Sequence, residues 1–202
     1  VTRIVSVDAR APARGPLDEA AAALKRGGLV AFPTESFYGL GVDALNAEAV
    51  TRLFEAKGRP ESKPVLVLVD SVAMAEALAP GIPAGARELM TRHWPGPLTL
   101  VLTAAPHVPA ALTAGTGTIG LRMPGHAVAL ALVKAAGLPV TAPSANPSGQ
   151  PPPTTAAAVS RYFGECLDLI LDAGPTAGGP ASTVADCTAW PPRLLRQGPV
   201  IL

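Results

Sequence analysis

The chain has 202 residues, enough for one substantial hydrophobic core and short for two. Hydrophobic residues make up 49% and charged residues 15%, which excludes a disordered tail and fits a compact enzyme. A formal charge of +1 excludes a whole-molecule pull on nucleic acid, so any RNA contact has to come from a local patch. In chain order, residues 17–25 read as an Ala-rich helix closed by Gly27-Gly28, and 29–32 as a short buried strand stopped by Pro33. Asn46 is a good N-cap for a helix with Ala49, Val50, Leu53 and Phe54 on one face, ending at Gly58. The continuous apolar run 65–69 predicts a central strand. Helices follow at 72–78 and 84–93, then strands at 98–103 and 119–123, a helix at 127–136 and a strand at 138–142. Thr154 is the expected cap of a helix reaching Phe163, and strands at 167–171, 182–186 and 193–197 finish the chain.

Interleaved strands and helices predict an α/β or α+β domain spanning 1–202, with a mixed sheet of seven or more strands, because several connections are too short for crossover helices. Twenty-three Pro and twenty Gly imply fixed turns between short elements. Aromatics are 4% of the chain, so the core has to be built mainly from Val, Leu, Ile and Ala. Cys166 and Cys187 fit no CxxC or zinc spacing and both read as buried thiols of a reducing compartment. No apolar run reaches membrane-spanning length and no signal-peptide pattern opens the chain, so the expected location is cytoplasmic.

Gly115-Thr116-Gly117-Thr118-Ile119-Gly120 matches GxGxxG in letters, but a dinucleotide fingerprint has to open a helix and these residues run into a strand. Thr118 facing a ligand is the better use of that loop. His93, His107 and His126 lie on separate elements without metal spacing. No Ser occupies a nucleophile elbow. Three other stretches carry more chemistry. Lys57-Gly58-Arg59-Pro60 puts two cations at a helix C-terminus, and Ala142-Pro143-Ser144-Ala145-Asn146 puts a hydroxyl and an amide on a stiff turn after a strand. Such groups suit a polyphosphate or a carboxylate. Arg122 on a buried strand needs an anionic partner, from the protein or from a ligand. Lys63 and Arg196, taken alone, read equally well as solvated charges.

Seven motifs then fall in order. Pro33-Thr34-Glu35-Ser36 with Tyr38-Gly39-Leu40-Gly41 and the Lys57 run lead to Trp94-Pro95-Gly96-Pro97-Leu98-Thr99 and Leu121-Arg122-Met123-Pro124. The Ala142 turn, Ser182-Thr183-Val184 and Leu195-Arg196-Gln197-Gly198 complete the series. From about residue 15 onward the chain resembles the YrdC-like family of threonylcarbamoyl-AMP synthases. The resemblance implies one α/β domain of the short type, without a further C-terminal domain, whose twisted mixed sheet has an open concave active-site face. It implies that L-threonine, bicarbonate and ATP with Mg²⁺ give threonylcarbamoyl-AMP and pyrophosphate, a nucleotidyltransferase reaction. A partner transferase would then load a tRNA adenosine beside the anticodon.

Carried over by position, the resemblance puts Ser36, Arg122, Ala142 and Ser182 around threonine, with Thr34 nearby. It puts Arg59, Lys63, Thr118, Ser144, Asn146, Pro152 and Arg196 on ATP, and makes Lys57, Arg59 and Arg122 the catalytic cations. Leu68 departs from the pattern, because many relatives have a threonine-contacting histidine there. Two other readings compete: a non-catalytic RNA-binding module, and a carbamoyl-adenylating domain like those of hydrogenase-maturation proteins.

Overall fold

The computed structural model describes residues 2–58 and 64–202. Ten short strands form two sheets rather than the one expected. The first has the order β1 (Arg3–Ser6), β8 (Leu169–Asp172), β2 (Val30–Pro33), β3 (Tyr38–Gly41). The second runs β10 (Arg193–Arg196), β9 (Thr183–Asp186), β5 (Leu98–Thr103), β6 (Thr118–Arg122), β4 (Leu66–Leu68), β7 (Val140–Thr141). Both mix parallel and antiparallel neighbours, as the short connections require.

A seam joins the sheets where β3 meets β7. Bridges Gly39↔Ser144 and Asp43↔Val140 form there, and Pro143 accepts from the Leu40 N–H. Pro139 and Pro143 lack N–H donors and bracket Val140–Thr141, which cuts the expected strand 138–142 to two residues. Gly41 permits the close approach, since a Cβ there would stand 2.7 Å from Phe32 and from Val140.

Alternation in the six-stranded sheet decides where a site can exist. Leu98, Leu100 and Leu102 of β5, with Ile119, Leu121 and Val67, point into the larger core. That core also takes in apolar side chains of α2 (Ala47–Lys57), α3 (Val72–Leu78) and α4 (Ala84–His93). On the opposite face Leu68 is buried in the smaller core and Thr99 and Arg122 are buried, while Leu66, Val101, Thr118, Gly120 and Val184 are only partly covered. The four-stranded sheet is covered on both faces. Val30, Phe32, Leu169 and Leu171 meet α1 (Arg14–Lys25) and α6 (Ala127–Ala136), while Ala31, Leu40 and Ile170 join the larger core.

Local signals explain several boundaries. Asn46 caps α2 by accepting from the Ala49 N–H, and Gly58 ends it in the left-handed region. Helix α7 (Ala156–Phe163) is capped by Thr155, not Thr154; the Thr154 carbonyl instead accepts from the Thr176 N–H. Cys166 is exposed, against the expectation of two buried thiols, whereas Cys187 is buried and its thiol is pushed up to about 11 by burial. β1, β3 and the short α5 (Ala110–Thr113) were not expected. Among the described residues no helix is long and apolar enough to cross a membrane.

Candidate active site

A cavity of about 330 Å³ opens at the seam between the sheets. Of the residues marked out by the sequence, Thr34, Ser36, Arg122, Ala142, Ser144, Pro152, Ser182 and Arg196 line it. They arrive from six separate parts of the chain. Thr34 and Ser36 come from the β2–β3 turn, Arg122 from the end of β6, and Ala142 and Ser144 from the segment after β7. Pro152 comes from the proline-rich loop, Ser182 from just before β9, and Arg196 from the end of β10.

Arg122 is 7% exposed, so its charge needs compensation within the protein. Glu35 supplies it: one carboxylate oxygen pairs with the Arg122 guanidinium, and the other accepts from the Gly125 N–H at 2.7 Å. Arg122 Nε donates to the Gly96 carbonyl at 3.1 Å. Burial pushes the Glu35 carboxyl up, but the Arg122 charge and the Gly125 N–H outweigh it, and its pKa ends below the ordinary value. Glu35 was not singled out by the sequence reading, although it lies inside a quoted motif. A buried Arg requires an anion, and Glu35 is the acidic residue within those motifs that meets this need.

Arg196 is held differently. Its Nε donates to the Ser182 carbonyl at 3.0 Å and an Nη to Ser182 Oγ at 3.1 Å. Ser182 Oγ also meets Thr99 Oγ1 at 2.9 Å. Burial, and then the like charge of Arg122, lower the Arg196 pKa, and no carboxylate pairs with it among the described residues.

Ser36 Oγ donates to the Pro180 carbonyl at 2.9 Å, so its lone pairs remain available to a ligand donor. Thr34 Oγ1 closes its own turn on the Phe37 carbonyl at 2.6 Å. Lys57 stands behind the wall rather than in it. It is 3% exposed, and its ammonium donates to the Ser144 and Asn146 carbonyls at 2.5 Å each. Lys57 thereby fixes the turn that presents Ser144 to the cavity.

Asn146 is buried beside it and donates to the Pro147 and Gln150 carbonyls. Thr118 lies four residues before Arg122 on the same face of β6, outside the cavity lining and bonded to Thr116. Arg59 and Lys63 lie outside the described residues. Leu68 pairs in register with Arg122 but is fully buried in the smaller core, while Leu66, one pleat earlier, reaches the cavity.

The sequence profile of the Sua5/YciO/YrdC family, described as "Telomere recombination", matches residues 22–198. The chain belongs to this family. Among Sua5/YciO/YrdC relatives, it is 49% identical over 179 residues to the threonylcarbamoyl-AMP synthase of Pyrococcus abyssi, covering 89% of this chain and 53% of that protein. It is 46% identical over 181 residues to the Bacillus subtilis protein of the same name, covering 89% and 52%. The crystal structure of P. abyssi Sua5 complexed with L-threonine superposes with a TM-score of 0.93 at 46% identity, covering 96% of this chain and 57% of that one. The chain thus spans about half the length of these relatives.

Proposed function

We propose that the chain carries the catalytic site of an L-threonylcarbamoyladenylate synthase, a nucleotidyltransferase. What supports this most is the 46% identity, over nearly all of the chain, to a relative solved with L-threonine. The lining residues fit that chemistry. The Arg122 fork suits the threonine carboxylate, with Ser36, Ser182 and the Ala142 backbone around the rest of the amino acid and Thr34 supporting the turn.

The threonine amine and bicarbonate condense to a carbamate with loss of water. A carbamate oxygen then attacks the α-phosphorus of ATP: a new O–P bond forms, the bond to the β-phosphate oxygen breaks, and pyrophosphate leaves. The reactants are both anions and repel strongly in water, so catalysis rests on positioning and charge stabilisation rather than on a protein nucleophile. Arg196, with Arg59 and Lys63, is assigned to the phosphates, and Thr118, Ser144, Asn146 and Pro152 to the nucleotide. Lys57 acts through the turn it holds. The described residues contain no cluster of three or more His, Cys, Asp or Glu, so Mg²⁺ is assigned to the ATP phosphates as part of the substrate. The product would serve a transferase that modifies tRNA.

Pyrophosphate release from Mg–ATP tests this reading. Release that needs both L-threonine and bicarbonate is expected. Release indifferent to threonine, or none with all three substrates present, would overturn it. Salt-sensitive tRNA binding without pyrophosphate would favour the RNA module instead.

A further inference from the structure

Three of the sequence motifs converge on one guanidinium. Arg122 ends β6, Gly96 lies in the turn before β5, and Glu35 lies in the turn between β2 and β3. Gly125, three residues beyond Arg122, closes the circuit by donating to Glu35. The circuit is tightly packed. A Cβ on Gly125 would stand 3.3 Å from the Glu35 carboxylate and 3.4 Å from Gly96, and one on Gly96 would stand 2.4 Å from the His93 carbonyl. Glu35 and Gly96 together occupy one flank of the Arg122 fork, Nε and one Nη. The fork has five N–H donors in a fixed plane, so the rest remain for whatever enters the cavity that Arg122 lines.

We propose that Glu35 is a positioning residue that fixes the plane of the Arg122 guanidinium, so that its free edge accepts a monocarboxylate, here that of the amino acid. The inference deepens the threonine reading of the cavity and rests on it. Glu35 touches Arg122 and the Gly125 amide, and its effect on the ligand passes through Arg122. A buried arginine without its carboxylate turns to other acceptors or to water, and a fork turned out of plane no longer makes two parallel bonds. Glu35 also offsets the Arg122 charge, whereas Arg196 keeps its charge uncompensated among the described residues. The paired end therefore offers directed donors with little net charge, which suits a single carboxylate better than a polyphosphate, and the unpaired end is left for phosphates.

The test compares L-threonine with L-threoninamide, which keeps the side chain and amine but lacks the carboxylate. Calorimetry measures both ligands, and Mg–ATP, on the native chain, on Glu35→Gln and on Glu35→Asp. Glu35→Asp keeps the charge and is one methylene too short to span Gly125 and Arg122. The preference of the native chain for threonine over the amide should fall about tenfold or more in Glu35→Gln, the scale for partners that orient a ligand-binding group. It should fall by a smaller factor in Glu35→Asp, with ATP affinity within about twofold of native in both, since the nucleotide end is untouched. ATP binding also reports that each variant is folded.

An unchanged or increased preference in either variant overturns the proposal, because a merely structural role would weaken both amino-acid ligands alike. If the native chain binds ATP but shows no preference for threonine over its amide, the amino-acid reading itself is wrong and the proposal goes with it.

Discussion

The two arginines of the cavity are held in opposite ways. Arg122 ends a central strand, is almost fully buried, and is fixed by a carboxylate and a carbonyl. Arg196 ends the edge strand β10, whose residues are all exposed, and is held by one serine through a carbonyl and a hydroxyl. The buried arginine is neutralised and rigid. The edge arginine retains its charge and, being less buried, can adjust to a flexible ligand. A short, rigid monocarboxylate and a long, many-charged polyphosphate need these two environments respectively.

Breaking the first end should cost most. Arg122→Met is expected to lower turnover by about 10²–10³, the scale for one lost transition-state contact. It also leaves Glu35 without its partner, so some loss of stability is expected. Adding Glu35→Gln separates the two effects: the double variant should regain melting temperature and not turnover. Recovery of turnover in the double variant would show that Arg122 serves the fold rather than the ligand.

Breaking the second end should cost less and show up elsewhere. Arg196→Ala is expected to raise the KM for ATP by about tenfold and the KM for threonine by a smaller factor, because Ser182 loses the partner that holds its carbonyl and hydroxyl. The native KM for ATP should also depend more steeply on salt than that of the variant. Equal losses for both substrates would erase the distinction between the two ends. Ser36→Val probes the wall between them, where a hydroxyl already donating to Pro180 offers lone pairs inward. A several-fold rise in the KM for threonine is expected, with ATP unaffected, as for one lost neutral hydrogen bond.

How far the sequence revealed this arrangement follows from the range of each signal. Capped, periodic helices such as Ala47–Lys57 are local patterns, and Asn46 and Gly58 mark their ends as read. The strand Tyr38–Gly41 was missed because its two glycines resemble loop composition, while its purpose is the close crossing at Val140. The split into two sheets depends on where Pro139 and Pro143 fall against a neighbouring strand, which no local window contains. In the site, cation and hydroxyl identities were legible through motif order. The burial of Lys57 on two carbonyls and the choice of Glu35 as the partner of Arg122 were not, because both are contacts over long sequence separations.

The smallest expected effect sharpens the comparison by pH. His126 stands at the start of α6 near Glu35, with Nδ1 buried and without a hydrogen-bond partner among the described residues. Burial lowers its pKa below the ordinary 6.5, and the Glu35 charge offsets this in part. The unfolded chain therefore takes up a proton as pH falls through the ordinary value, while the folded chain resists it. Stability is lost in that window.

Glu35 acts lower. Its folded pKa lies below the ordinary 4.5, so its contribution is complete above that value and is lost as pH falls through the folded one. Between pH 7.5 and 5.5, then, the Arg122 end should change stability through His126 alone. His126→Gln is expected to reduce the drop in melting temperature over that interval, by a few degrees at most. Glu35→Gln should steepen the drop slightly over that interval, because the carboxylate charge that partly offsets the His126 shift is gone, and should flatten the loss in more acid solution. A native melting temperature equally flat across pH 7.5 to 5.5 would mean that His126 is solvated in the folded chain, and the Arg122 end would then be no more closed to water than the Arg196 end.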